Sequence, residues 1–202
     1  VNAGYVVWCD DANAGATDVA AVLQTYKEGN TWKAELLFAD GKTETVSLKR
    51  NAEWDNNNDD TYASGEVPTI DAYSAYENTT EAPEKAIALV SYTKSGDSYK
   101  LQTIAKNVNP TSYKHVHVAT TNKVKNDRMT SGDTKYIDDN AVVFVRYKSG
   151  TEYKFSVQTG KSMKSWSDKK SFRSVVLSNE SNSINYAKVV LADMGTQSLP
   201  GG

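Results

Sequence analysis

The sequence predicts an all-β chain with little helix, built from antiparallel hairpins that form one or two small sandwiches or barrels. Three observations carry this. Short runs alternate apolar and polar residues with the period of two that half-buries a strand. Glycine-centred polar turns interrupt these runs roughly every ten residues, the spacing of a meander rather than of βαβ units. No extended stretch shows the helical period.

The elements follow in order. Residues 19–26 (Val19 to Tyr26) read as a first strand, closed by the turn Lys27-Glu28-Gly29-Asn30. Residues 31–38 place Trp32, Ala34, Leu36 and Phe38 on one face and Lys33 and Glu35 on the other. Asp40-Gly41 is a hairpin turn whose residues tolerate positive φ, and residues 43–49 then alternate Val46 and Leu48 with Thr45 and Ser47. The unit recurs at 87–93 and 98–104, around Lys94-Ser95-Gly96-Asp97. It recurs again at 141–147 and 153–157, around Lys148-Ser149-Gly150-Thr151. A last pair, 172–178 and 184–191, surrounds the polar loop 179–183. Helix is confined to a turn or two at 81–88 and to a loop or one short helix at 161–170. The run Asp55-Asn56-Asn57-Asn58-Asp59-Asp60 cannot pack and belongs on the surface.

At 202 residues, 39% hydrophobic and 24% charged, the chain can bury a sizeable core in one large domain or two small ones. It contains no 18-residue apolar run, so no membrane-inserting helix is expected. The formal charge of −2 conceals an asymmetry. Residues 1–110 carry nine Lys and Arg against seventeen Asp and Glu, a net of −8, whereas residues 111–202 carry fourteen against eight, a net of +6. Such a split argues against a uniformly nucleic-acid-binding surface. The sign changes at 107–110, where Pro110 also interrupts strand pairing. This predicts an acidic β subdomain over 1–109, a basic one over 110–195 and a tail or linker over 196–202. Both ends read as cut from a longer chain. Cys9 is the single cysteine, so neither an intrachain disulfide nor a cysteine-based zinc cluster is available.

Candidate chemistry is sparse. His115 and His117, two apart on a strand, share a face and could ligate a metal if Asp138 or Asp139 supplied a third ligand. The plainer reading is two partly exposed strand residues alternating with Val116 and Val118. Cys9, in the apolar run Val6-Val7-Trp8-Cys9, reads as a small buried hydrophobe rather than a nucleophile. The acidic run 55–60 lacks the central glycine and the bidentate glutamate of a calcium loop. Loop aromatics are the remaining candidates. Trp54, Tyr62, Tyr76 and Trp166 could offer sugar-stacking faces, and Trp166 sits among Lys161, Lys164, Lys169 and Lys170, a cationic–aromatic patch able to grip an anionic wall polymer. The alternative is a solvated loop with one anchoring indole. No phosphate loop, dinucleotide fingerprint, zinc-protease helix or nucleophile elbow occurs, so no cofactor is implied.

The runs Asp138-Asp-Asn-Ala-Val-Val-Phe-Val145, Tyr153-Lys-Phe-Ser-Val-Gln-Thr-Gly160 and Asn185-Tyr-Ala-Lys-Val-Val-Leu191 follow one another at familiar distances. Together with Ala34-Glu-Leu-Leu-Phe-Ala-Asp-Gly-Lys-Thr-Glu-Thr-Val46 and Ser98-Tyr-Lys-Leu101, they resemble the β-rich repeat region of Gram-positive bacterial cell-surface proteins of the kind that carry S-layer homology modules. The resemblance implies an exported, cell-surface segment of a modular protein. It would be a non-catalytic spacer, self-assembly or adhesion unit whose partners are neighbouring domains, other copies of itself through its opposite charges, or a wall polymer. Two alternatives stand beside it. One is a carbohydrate-binding module acting through the loop aromatics. The other is a small hydrolase with an acidic or histidine-containing site.

Overall fold

Where the sequence alternates apolar and polar residues, the chain pairs into hairpins. The computed structural model describes residues 19–48, 73–74, 87–102, 105–106 and 112–200, and the fold is all-β with little helix. Strands β1 (Val19–Glu28), β2 (Thr31–Phe38) and β3 (Thr43–Leu48) form an antiparallel meander. β4 (Tyr73–Ser74) pairs with β5 (Ala88–Ser95), and β5 forms a hairpin with β6 (Ser98–Gln102). Parallel pairing of Ser47 and Leu48 with Ser98 and Tyr99 joins β3 to β6, and β5 returns antiparallel to β1. The order β1-β2-β3-β6-β5 therefore closes on itself as a five-stranded barrel. The glycines of the two Lys-x-Gly-polar turns here, Gly29 and Gly96, both take φ of 62°, which a residue with a Cβ adopts only at a cost.

The expected alternation fills the barrel. Trp32, Ala34 and Leu36 point inward with Ala20, Val22, Val46, Leu48, Val90, Tyr99 and Leu101. Its outward positions are not all wet, however. Val19, Ala21, Leu37, Ile87 and Leu89 are buried as well, because a second sheet covers them.

That sheet contains β9 (His115–Asn122), β10 (Val124–Lys125), β11 (Arg128–Met129), β12 (Lys135–Ser149), β13 (Glu152–Thr159), β14 (Phe172–Ser181) and β15 (Ile184–Asp193). Its order is β10-β11-β12-β15-β14-β9, with β13 added beside β12, and it curls into a half-barrel. Two further short strands, β7 (Ala105–Lys106) and β8 (Ser112–Tyr113), pair with each other in parallel. The apolar runs in β12, β14 and β15 are continuous because these strands are covered on both faces. On one side Val142, Phe144, Val175, Leu177, Val189 and Leu191 meet the barrel's outer residues in a single cluster. On the other, Val143, Val145, Val176, Val190 and Ala192 pack with Met163, Trp166 and Phe172.

The hairpins are antiparallel, as expected, but they are joined by two parallel pairings, β3–β6 and β12–β15. The polar loop 179–183 shrinks to a two-residue turn: strand structure runs to Ser181 and resumes at Ile184, with Asn182 and Ser183 at φ 53° and 64°. That is the positive-φ pair a tight hairpin needs. Within 161–170 the chain makes α1 (Gly160–Met163) and one 3-10 turn, Lys164–Trp166. The helical turn expected at 81–88 is not formed at its described end, where Ala88 opens β5. The 107–110 boundary, Cys9 and the 55–60 run lie outside the described residues. No helix among those described is long and apolar enough to cross a membrane.

Candidate functional site

The sequence-predicted candidates do not converge. Trp54, Tyr62 and Tyr76 lie outside the described residues. Trp166 is buried at 2% exposure, with its ring edge-to-face on Phe172 at 5.7 Å. Of the two readings of the lysine-rich loop, the sugar-stacking indole is not found and the anchoring indole is: α1 and the 3-10 turn fold Trp166 back into the core, and only the lysines remain outside. Lys164 bonds the Asp139 carboxylate at 2.6 Å, while Lys169 and Lys170 are exposed.

His115 and His117 are both half-buried on β9. The His117 Nε2 lies 3.3 Å from the Ser131 Oγ, and the backbone at Gly132 presses on the ring so closely that a Cβ there would sit 2.9 Å from Cε1. Burial holds the His117 imidazole below its usual pKa, and the Lys135 ammonium pushes the same way against a smaller opposing pull from Asp133. Lys135, itself buried, donates to the Asp133 carbonyl at 2.8 Å. Asp138 is engaged elsewhere. No group of three or more metal-ligating side chains occurs among the described residues.

Asp138 belongs to a bulge. Between Ile137 and Val142 the register of β12 against β15 slips, leaving residues 138–141 opposite Lys188 alone. Lys188 bridges to Asp138, the Asn140 N–H donates to the same carboxylate at 2.8 Å, and Lys164 holds neighbouring Asp139. Burial alone would raise the pKa of Asp138, but the Lys188 hydrogen bond, the Asn140 N–H and the two ammonium charges outweigh it and hold the carboxyl below its usual range. Each charge here is answered by another within the fold, so the cluster fastens the bulge.

Among the described residues, an arrangement of aromatic and charged side chains that opens to solvent lies on the barrel. Phe38 ends β2, Tyr92 lies on β5 and Tyr99 is the second residue of β6. Their ring centroids are 5.3 Å (Phe38–Tyr92), 5.7 Å (Tyr92–Tyr99) and 6.1 Å (Phe38–Tyr99) apart, with the rings tilted or edge-on to one another. Ala39, Asp40 and Lys42 of the β2–β3 turn, with Glu44 of β3, complete an open cleft of about 340 Å³. The turn is rigid: the Gly41 N–H donates to the Phe38 carbonyl, the Phe38 N–H to the Lys42 carbonyl and the Lys42 N–H to the Asp40 carboxylate, each at 2.9 Å. Lys94 reaches over the Tyr99 ring at 5.6 Å from its centroid. Sequence reasoning missed this cleft because its aromatics come from three separate strands, where each reads as an ordinary core residue.

No family model, curated protein or solved structure matches the chain.

Proposed function

We propose that this chain is a non-catalytic, extracellular β module of a modular bacterial surface protein, with a mechanical and interfacial role as a spacer or assembly unit. The observation that supports the reading best is the cluster in which Val19, Leu37 and Leu89 of the barrel pack with Phe144, Leu177 and Leu191 of the second sheet. Each fully buried side chain of this kind contributes about 1.5–3 kcal/mol. A shared cluster of a dozen buried residues therefore couples the two halves into one unit able to transmit load. Among the described residues, Ile184 is the only large apolar side chain left exposed, so copies would meet through charge rather than through an apolar patch. The acidic first half of one copy would face the basic second half of the next. That attraction is screened over about 8 Å at physiological salt.

Analytical ultracentrifugation and calorimetry test the two parts separately. Cooperative unfolding in one transition, with calorimetric and van't Hoff enthalpies equal, is the expected outcome for a coupled spacer; two separable transitions would remove that reading. Association in low salt that dissolves in high salt is expected for the assembly role. Monomers in both would sink it.

A further inference from the structure

We infer that the barrel cleft formed by Phe38, Tyr92, Tyr99, Asp40, Lys42 and Glu44 is a binding site for a neutral oligosaccharide. The inference does not rest on the spacer role, and either can fail without the other.

Three features point to this ligand class. First, the floor is aromatic but not flat. Phe38 and Tyr92 meet at 80°, and Tyr99 is tilted by 47° and 49° against them, so their faces and edges turn in different directions. Such a floor offers apolar contact to the C–H groups of a sugar ring.

Second, the rim carries polar groups that the fold does not use. Among the described residues, the Lys42 ammonium and the Glu44 carboxylate have no hydrogen-bond or ion-pair partner, and Lys94 lies over the Tyr99 ring. Tyr99 itself is largely buried, at 7% exposure, and closes the inner end of the cleft. Donors and acceptors thus stand around an apolar floor, which is the pattern of a small-molecule site.

Third, the charges cancel. Asp40 and Glu44 of the lining stand against Lys42 of the lining and Lys94 above the Tyr99 ring beside it, so neither an anionic polymer nor a polyamine gains much net attraction. A polyhydroxylated neutral ligand can use all four, donating to the carboxylates and accepting from the ammonium groups. The cleft's volume of about 340 Å³ lies at the small end of ligand pockets, so it would seat one end or a short segment of a chain rather than enclose it. The rigid β2–β3 turn holds the rim in place before ligand arrives, which limits the ordering cost of binding.

Amide chemical-shift mapping of the whole chain tests the site, using chitotetraose, cellotetraose, mannotetraose and maltotetraose as probes, with tetragalacturonate and spermine as charged controls. At least one neutral tetrasaccharide should move the amides of residues 38–44 and 92–99 and leave those of β12–β15 in place. Tyr92→Ala should weaken that binding about tenfold. Because Tyr92 also packs on the barrel interior, the exposed-rim variants Lys42→Gln and Glu44→Gln provide a second test that leaves the core intact. Each should weaken binding severalfold without altering the thermal midpoint. Unmoved cleft amides with all four neutral probes would overturn the inference. So would binding that all three variants leave unchanged, or occupancy by tetragalacturonate or spermine but by no neutral sugar.

Discussion

The barrel and the second sheet both bury apolar side chains on two sides, yet they differ in how much polar material they bury. Among the described residues, the barrel's buried polar side chains are Thr25 and Ser91. The second sheet buries Asn122, Lys135, Arg146, Ser174, Ser178 and Asp193. Closure explains the contrast. Around a closed barrel each strand finds neighbours on both sides, and apolar residues alone can fill the inside. A half-barrel has ends and incoming chain segments, and polar side chains secure them. Asn122 donates to the Ser174 Oγ at 2.9 Å and accepts from the N–H groups of Lys123 and Ser131, pinning the chain after β9 to β14. Arg146 and Asp193 are register partners across the parallel β12–β15 pairing, 2.8 Å apart. Asp193 also accepts from the Gly195 N–H, and Tyr153 lies 4.0 Å from the guanidinium.

The sharpest way to break this comparison is to remove one partner of the Arg146–Asp193 pair, whose side chains are 1% and 2% exposed. Arg146→Ala leaves a buried carboxylate with a single backbone donor. It should cost about 3–5 kcal/mol in urea unfolding, the largest effect predicted here. The double variant Arg146→Met, Asp193→Leu leaves no orphaned charge and should recover most of that loss. A single variant within about 1 kcal/mol of wild type would mean the pair does not fasten the sheet.

A second contrast separates steric from torsional demands on glycine. In the second sheet, a Cβ on Gly160 would fall 1.8 Å from the Asp138 carbonyl oxygen and 3.0 Å from the Ala141 Cβ, so α1 docks on the β12 bulge only without a side chain. In the barrel, Gly96 has nothing within 4 Å but holds φ at 62°. Gly160→Ala should therefore cost about 1–3 kcal/mol, and Gly160→Asn no less. Gly96→Ala should cost about 1–2 kcal/mol, and Gly96→Asn much less, because asparagine tolerates that torsion. Thermal midpoints of the four variants read this directly. Equal rescue by asparagine at both sites would erase the distinction.

What the sequence made legible follows the same divide. The barrel's meander could be read because Trp32, Ala34 and Leu36 alternate cleanly and Asp40-Gly41 marks the turn. The burial of Leu37 and Ile87 could not, since a period of two records one wet face and says nothing of a sheet that covers it. Parallel pairings such as Ser47 with Ser98 bring together strands far apart in sequence, with no local turn to announce them. Trp166 leaves both its readings open in the sequence for a related reason: its lysine- and serine-rich neighbours describe the outside of a turn whose inside is core. The cleft residues Phe38, Tyr92 and Tyr99 each carried a strand signal, and only tertiary closure brings them together.

The smallest predicted effect concerns pH and falls entirely in the second half, because both histidines of the chain lie there. Burial, seconded by the Lys135 charge, holds the folded His117 pKa below the unfolded value, so the unfolded chain takes up the proton first. Above an unfolded imidazole pKa of about 6.5, both states are neutral and nothing is lost. As pH falls below it, protonation draws the equilibrium toward the unfolded state until the folded ring also titrates. Urea midpoints measured from pH 7.5 down to pH 5 should decline for wild type and decline less steeply for His117→Gln, which keeps a polar side chain facing Ser131. Since the two sheets share one core cluster, probes in the barrel should report the same slope as probes in the half-barrel. A slope confined to the half-barrel would mean that the shared cluster does not couple them.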